Sequence, residues 1–272
     1  MIKNKPFVLN THGSLLGFKN YLPSLKQKLP YYLYDILTLK ASAKRAHAIV
    51  VSSKLEYEDA LEFGIAKEKL HIIPMGIKVE EIKIEPNISE NLQILFVGRI
   101  ARVRRIELLL QAVNQLTIPF HLTIVGGEEK TSSTTRSGYL DELKLLTKQL
   151  NLNSKVTFTG KKAPSELKPF YKSANIFVYP SLYENFGQPL IEAAAHGLPL
   201  ISTPVGVARD IIIDGKTGYH VTAKTEEIKN KIESLTDPNL RLEMGRNIQI
   251  EIKNRFNWEN IMDQYLDLYY SL

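Results

Sequence analysis

Short runs rich in Val, Ile and Leu recur along the whole chain, each separated from the next by a stretch of helical periodicity. This alternation constrains the fold more than any other feature. Parallel strands need a long crossover between them, and a helix lying back over the sheet is the usual crossover, so the pattern predicts an α/β architecture. The expected strands are residues 7–11, 48–51, 70–73, 93–97, 121–125, 155–159, 175–179 and 198–202. Their Val and Ile content suits strands buried on both faces. The clearest helices are 31–46, 54–63, 104–116, 139–150 and 188–196.

Local signals punctuate these elements. Ser53 and Glu56 have capping-box spacing, and Gly64 stands where the same helix should stop. Residues 76–91, polar and interrupted by Pro86, read as a linker between a unit over 1–75 and a unit over 92–255. Residues 130–138 form a polar loop, and a last helix is expected from Phe256-Asn257-Trp258 to Tyr270, within 256–272. With 272 residues, 44% of them apolar, the chain has enough material for such an arrangement.

Composition removes several chemistries. There is no cysteine, so disulfides and thiolate zinc sites are excluded. No apolar run approaches the roughly 18 to 20 residues a membrane span needs, and the opening MIKNKPFVLN lacks a signal-like apolar stretch, so a cytoplasmic location is expected. Residues 1–54 hold eight Lys and one Arg against one Asp, a local +8 that leaves −2 for the rest of a chain with net charge +6. Such a patch suits nucleic acid, anionic lipid or a phosphorylated substrate, or is simply a solvated lysine-rich face.

Familiar motifs fail informatively. There is no G-x-G-x-x-G, Asp210 stands where a P-loop ending in Gly215-Lys216-Thr217 would need its first glycine, and no Asp-x-Asp pair is available to hold a metal on a diphosphate. Residues 97–218 instead carry a dense set of features. Gly98-Arg99 follows a strand, at the edge where open α/β sheets bind ligands. Arg104 and Arg105 come at the start of a helix, where cations oppose the dipole and are better placed for an anion. The segment 180–199 passes from a strand through Phe186-Gly187 into a helix with Pro189 in its first turn, so free backbone N–H groups should face the crevice. Glu184 and Glu192 lie across that turn with seven residues between them.

Gly98-Arg99, the Glu-x7-Glu segment, Gly197-Leu198-Pro199 and Asp214-Gly215-Lys216-Thr217-Gly218 together resemble the family 4 retaining glycosyltransferases over residues 97–218. The resemblance implies a double-Rossmann (GT-B) architecture with a complete C-terminal nucleotide-sugar domain and a reduced N-terminal one. It implies retention of anomeric configuration, no metal, and no cofactor beyond the nucleotide-sugar donor.

Carried over by position, it makes Arg99 a diphosphate ligand and puts Arg104 where the family usually has lysine and Arg105 where it usually has glycine. It sends Glu192 to the ribose and Glu184 to the transferred sugar, and makes Gly98, Asn185, Phe186, Gly187 and Leu190 donor-binding positions. Gly206 is kept, while Val207 and Asp210 replace the usual glycine and glutamate. Less extensively, Thr11-His12-Gly13 resembles the family's first domain, where the histidine reaches across to the donor sugar. His47, His71, His121 and His220 have no such support and are expected to be non-catalytic.

The implied partners are a nucleotide-sugar donor and a glycan or lipid-linked acceptor at a membrane surface, with no nucleic acid. Lys26, Lys28, Lys40 and Lys44 among Leu and Tyr residues suit an anionic headgroup region. The resemblance places Thr11-His12-Gly13 well inside a larger first domain, so strand edges should be left uncovered and the chain is expected to associate with itself or a second chain. The rivals are a catalytically silent nucleotide-sugar-binding subunit or half of a split transferase, an epimerase of the same architecture, and a glycosidase using the paired carboxylates.

Overall fold

In the computed structural model, residues 5–13, 15–16, 24–79, 91–128 and 138–272 are described. Most of the linker at 76–91 and all of the polar loop at 130–138 except Gly138 lie outside them, as do residues 21–23 ahead of the first helix. The strands form two parallel sheets. The first comprises β1 (Val8–Asn10), β2 (Ala48–Val51) and β3 (Leu70–Ile72), in the order β1-β2-β3. The second comprises β4 (Leu92–Val97), β5 (Phe120–Val125), β6 (Val156–Phe158), β7 (Ile176–Tyr179), β8 (Leu200–Ser202) and β9 (Gly218–His220), in the order β6-β5-β4-β7-β8-β9.

The helices follow in chain order as α1 (Leu25–Tyr34), α2 (Lys40–Arg45), α3 (Lys54–Glu62), α4 (Ile106–Asn114), α5 (Tyr139–Gln149), α6 (Lys168–Ser173), α7 (Gln188–Ala195), α8 (Ala208–Ile211), α9 (Thr225–Ser234), α10 (Pro238–Phe256) and α11 (Trp258–Ser271). Burial explains why these segments fold as they do. In β2 and β7 every residue is buried, as expected of parallel strands covered by helices on both faces. In α4, Ile106, Leu109, Leu110 and Val113 are buried at helical spacing and so form one apolar face on the second sheet. Each such side chain contributes about 1.5–3 kcal/mol relative to exposure.

Besides strand and helix ends that shift by one or two residues, three helix starts and one strand depart from expectation. The helix expected at 31–46 starts at Leu25, because Ser24 caps it by accepting from the Gln27 N–H; Pro30 lies inside it, and a π-helical turn at Asp35–Leu39 joins it to α2. The helix expected from Arg104 starts at Ile106. A 3-10 turn at Arg102–Arg104 and Arg105 in the left-handed region, φ 50° and ψ 42°, precede it. Glycine takes up that conformation without strain. The last helix starts at Trp258, because Asn257 leaves the helical region and forms a parallel bridge with Ile77. Finally, β9 lacks an apolar run and gave no sequence signal.

The capping box at Ser53 is half formed. Ser53 Oγ accepts the Glu56 N–H at 3.2 Å, but the Glu56 carboxylate turns one residue further back and accepts from Ser52 N–H and Oγ–H, both at 2.7 Å. Beyond α3, Gly64 at φ +95° ends the helix, with Ile65 N–H returning to the Ala60 carbonyl.

The two sheets meet through several elements. Ile248, Ile252 and Phe256 of α10 belong to the core of the second sheet, whereas Ile261 and Leu268 of α11 pack with Ala48, Val50 and Ile73 of the first. Between α3 and α8, Glu58 forms a two-pronged pair with Arg209 at 2.6 and 3.1 Å, and the Lys54 N–H donates to Asp210 at 3.2 Å.

Candidate functional site

The second sheet starts at β4 and grows first toward β5 and β6, then on the other side toward β7, β8 and β9. The reversal leaves a crevice at the carboxyl ends of β4 and β7, the position where open α/β sheets hold ligands. A cleft of about 250 Å³ opens beside it, lined by Gly98 and Arg99 after β4, Gly126, Gly127 and Glu128 after β5, and Lys161 and Lys162 after β6. Backbone bonds brace its floor: Gly98 N–H donates to Val125, Gly126 N–H to Gly160 and Ile100 N–H to Gly127, each at 3.0 Å. Gly126 cannot carry a side chain, since a Cβ there would lie 1.8 Å from the Gly98 carbonyl oxygen.

Arg99 thus lines the cleft, and Gly98 forms its floor. Sequence reasoning missed Gly126, Gly127, Lys161 and Lys162. The signal was present, because the rule that places ligands at strand carboxyl ends applies to β5 and β6 as much as to β4.

Arg104 has a different setting. It is only 6% exposed and its guanidinium is ion-paired with Glu184. The same Nη1 donates to Ser181 Oγ at 3.1 Å and to the Tyr183 carbonyl at 2.9 Å, and the group lies over the Tyr179 ring at 5.6 Å. Tyr179 donates its hydroxyl to Glu184 at 2.7 Å. Burial first, then the Glu184 charge, raises the Tyr179 hydroxyl well above its ordinary value of 10.0, with Arg104 and Arg99 opposing, so it remains a proton donor. These contacts link the loop after β4 to the loop after β7, and sequence spacing shows none of them.

Glu192, on α7, accepts from the Tyr171 hydroxyl at 2.7 Å. Burial raises its carboxyl above the ordinary 4.5, and hydrogen bonds from Tyr171 and Gln188 oppose the shift. A second cleft of about 380 Å³ lies against it, lined also by Lys78, Pro164, Ser165, Tyr171 and His196. Leu167 lines both clefts.

Asn185, Phe186 and Gly187 form the turn into α7. Gly187 is left-handed at φ +96°, Phe186 is buried, and Tyr183 donates its hydroxyl to Asn185. Gly206 is needed for this turn: at φ +46° a Cβ would stand 2.3 Å from the Phe186 carbonyl oxygen. Leu190 is placed in the core, with no exposure, and its N–H donates to the Gly187 carbonyl at 2.9 Å. Its side chain packs against the turn, where a Cβ on Gly187 would come 2.8 Å from Leu190 Cδ1. Opposite, at the end of β1, His12 is left-handed at φ 46° with its N–H on Asn10, and a Cβ on Gly13 would come 3.1 Å from Asn185 Nδ2. The His12 loop and the Asn185 turn therefore face each other across the two sheets.

Other motifs have structural partners. Thr217 Oγ1 accepts from Ile213 N–H at 2.7 Å and donates to the Ile211 carbonyl at 2.9 Å, while Asp214 accepts the His220 N–H at 2.5 Å. His47 accepts from Phe7 N–H, His121 pairs with Thr157 and His220 with the Ala208 carbonyl. Among the described residues no helix is long and apolar enough to cross a membrane.

Comparison with known proteins gives the family and the fold. The family described as glycosyl transferases group 1 matches residues 78–250, and glycosyltransferase family 4 matches residues 1–81. The capsular polysaccharide biosynthesis glycosyltransferase CapM of Staphylococcus aureus is 28% identical over 268 residues, covering 92% of this chain and 66% of its own length. The O-antigen chain mannosyltransferase RfbU of Salmonella typhimurium is 29% identical over 248 residues, covering 86% of this chain and 67% of its own. HepE of Anabaena, solved with UDP and glucose, superposes with a TM-score of 0.83 at 19% identity, over 98% of this chain and 72% of that one. The sucrose-phosphate synthase of Thermosynechococcus elongatus gives 0.83 at 28%, over 99% and 68%. The fold shared with them is the double-Rossmann arrangement expected from sequence, and the chain spans about two thirds of the length of CapM.

Proposed function

The chain belongs to the group 1 glycosyltransferases, and from that membership we propose that it transfers a sugar from a nucleoside-diphosphate donor with retention of anomeric configuration and without a metal ion. The observation that carries the reading is the cationic, glycine-floored cleft beside the switch point of the second sheet, where Arg99, Lys161 and Lys162 converge with Gly98, Gly126 and Gly127. That HepE was solved with UDP and with UDP-glucose supports a donor of this class.

In this reading the diphosphate lies along the cleft and reaches Arg104, and these cations offset the charge that develops on the departing phosphate oxygen. The bond between that oxygen and the anomeric carbon breaks as the acceptor hydroxyl bonds to the same face of the sugar. The departing oxygen takes the acceptor's proton. Glu192 accepts from the ribose hydroxyls, Glu184 from hydroxyls of the transferred sugar, and His12 approaches that sugar from the first sheet.

The acceptor side belongs to the first sheet. Leu25, Leu29, Leu33 and Leu37 are exposed at four-residue spacing along α1 and the π-helical turn. With Lys26, Lys28, Lys40 and Lys44 beside them, this face supports an acceptor presented on an anionic membrane surface. Thermal shift with uridine, guanosine and adenosine diphosphates tests the donor class, since ligand at about 100 times its Kd stabilises by about 2.7 kcal/mol. Nuclear magnetic resonance of the product formed with and without chelator then tests configuration and metal independence. No shift with any diphosphate would overturn the donor assignment; an inverted product or a strict metal requirement would overturn the mechanism.

A further inference from the structure

Arg104 and Glu184 are paired with each other, although the proposed function gives them different parts of the donor. The pair is close to solvent-free, with side-chain exposures of 7% and 16%. Arg104 is fixed from behind by Ser181 Oγ and the Tyr183 carbonyl, whereas Glu184 sits in the loop that runs into the Gly187 turn. The Arg104 Nε is buried and has no hydrogen-bond partner. This cation is therefore held in place with donor capacity left over, and a carboxylate occupies the position of an anion beside it.

We infer that Glu184 is a stand-in for the donor's diphosphate: an arriving diphosphate displaces its carboxylate from Arg104, and only then is Glu184 free to accept from the transferred sugar. The physical reason is charge. A carboxylate and a diphosphate beside one guanidinium repel in a poorly solvated site, so they cannot both hold it. The Tyr179 hydroxyl, bonded to Glu184 at 2.7 Å, strengthens the resting arrangement and must be given up at the same time. Sugar recognition is then conditional on the diphosphate. A free sugar meets a Glu184 that is already occupied, and a sugar without a diphosphate leaving group leaves the pair intact.

This inference rests on the proposed donor class, and isothermal titration with nucleoside diphosphates separates the two. The nucleotide that binds the unaltered protein best is titrated into Glu184→Gln, which removes the competing charge while keeping the side chain's size. Glu184→Gln should bind the nucleoside diphosphate at least tenfold more tightly, a change of about 1.4 kcal/mol. Tyr179→Phe, which loosens the hold on Glu184 without removing its charge, should tighten binding by a smaller factor.

Affinity for the corresponding nucleoside should stay the same in both variants. Circular dichroism and the melting midpoint check that each is folded, and Tyr179→Phe serves if Glu184→Gln is not. Equal or weaker diphosphate binding by the folded variants would overturn the displacement while leaving the donor class standing. Failure of every nucleoside diphosphate to bind the unaltered protein would overturn both.

Discussion

Gly126→Ala tests whether the cleft depends on the close approach of its two central strand ends. A Cβ at this position would lie 1.8 Å from the Gly98 carbonyl oxygen and 2.9 Å from its carbon. Carbon and oxygen settle at about 3.3–3.6 Å, so the ends of β4 and β5 must part by roughly 1.5 Å. Both obstructing atoms are backbone, and no rotamer change relieves the contact. Overpacking costs about 1–3 kcal/mol, and weakening the Gly98–Val125 hydrogen bond adds about 1 kcal/mol, so a loss of about 3 kcal/mol is expected on top of what φ +155° costs an alanine.

At about 2–4 °C per kcal/mol for a chain near this size, scanning calorimetry should show the midpoint falling by about 6–12 °C. Gly160→Ala is the internal comparison. Its φ of +74° is as demanding of glycine, but a Cβ there meets nothing within 4 Å, so only the left-handed cost of about 1–2 kcal/mol applies. Gly126→Ala should also lose more affinity for nucleoside diphosphate, because Gly98 and Gly126 both line the cleft. Equal midpoints and equal affinities in the two variants would refute the reasoning.

Three further outcomes follow from the same structure. Arg105→Gly should stabilise the chain by up to about 1 kcal/mol, because a left-handed residue with a Cβ costs about 1–2 kcal/mol and glycine gives back about 0.5–1 in chain entropy; a lower midpoint in calorimetry would count against it. The folded-state pKa of Glu192 is raised, so the folded protein holds more protons than the unfolded chain above pH 4.5, and this group makes stability fall as pH rises through that window. Glu192→Gln should therefore remove part of that decline in urea titrations between about pH 4 and pH 7, and an unchanged slope would show the carboxyl to be unshifted. Sedimentation with anionic and neutral vesicles at low salt should separate the two lipids, and Leu29→Glu with Leu33→Glu should abolish the difference; equal binding to both vesicles would remove the membrane reading, and a dimeric mass in light scattering would point to a second copy on that face.

In the second sheet, β4 and β7 were legible because burial on both faces leaves the apolar runs Ile94–Val97 and Ile176–Tyr179. Boundaries set by backbone conformation were less so. Nothing in the letters of Arg105 announces a left-handed φ, and Pro30 suggests a helix boundary that the cap at Ser24 overrides. The β9 strand is too short and too polar to carry a period.

The same division runs through the site. The strand-turn-helix of 180–199 is a local pattern, and it was readable. The pairing of Arg104 with Glu184 and of Tyr171 with Glu192 depends on which loops the topology brings together, and residue spacing does not contain that information.

The described start of the first passage between the sheets lies beside the return passage. Ile77, leaving the first sheet, bridges Asn257, returning to it; the Ile77 N–H donates to the Phe256 carbonyl at 2.8 Å, and a Cβ on Gly76 would come 2.7 Å from the Trp258 ring. Were the two sheets to move against each other, this bridge would be the pin about which they swing. Two bodies joined at one line can swing about it but cannot slide past each other, and displacement grows with distance from the pin. The Glu58–Arg209 and Lys54–Asp210 contacts then act as catches on a swinging door. A small rotation at Asn257 would then part the His12 loop from the Asn185 turn.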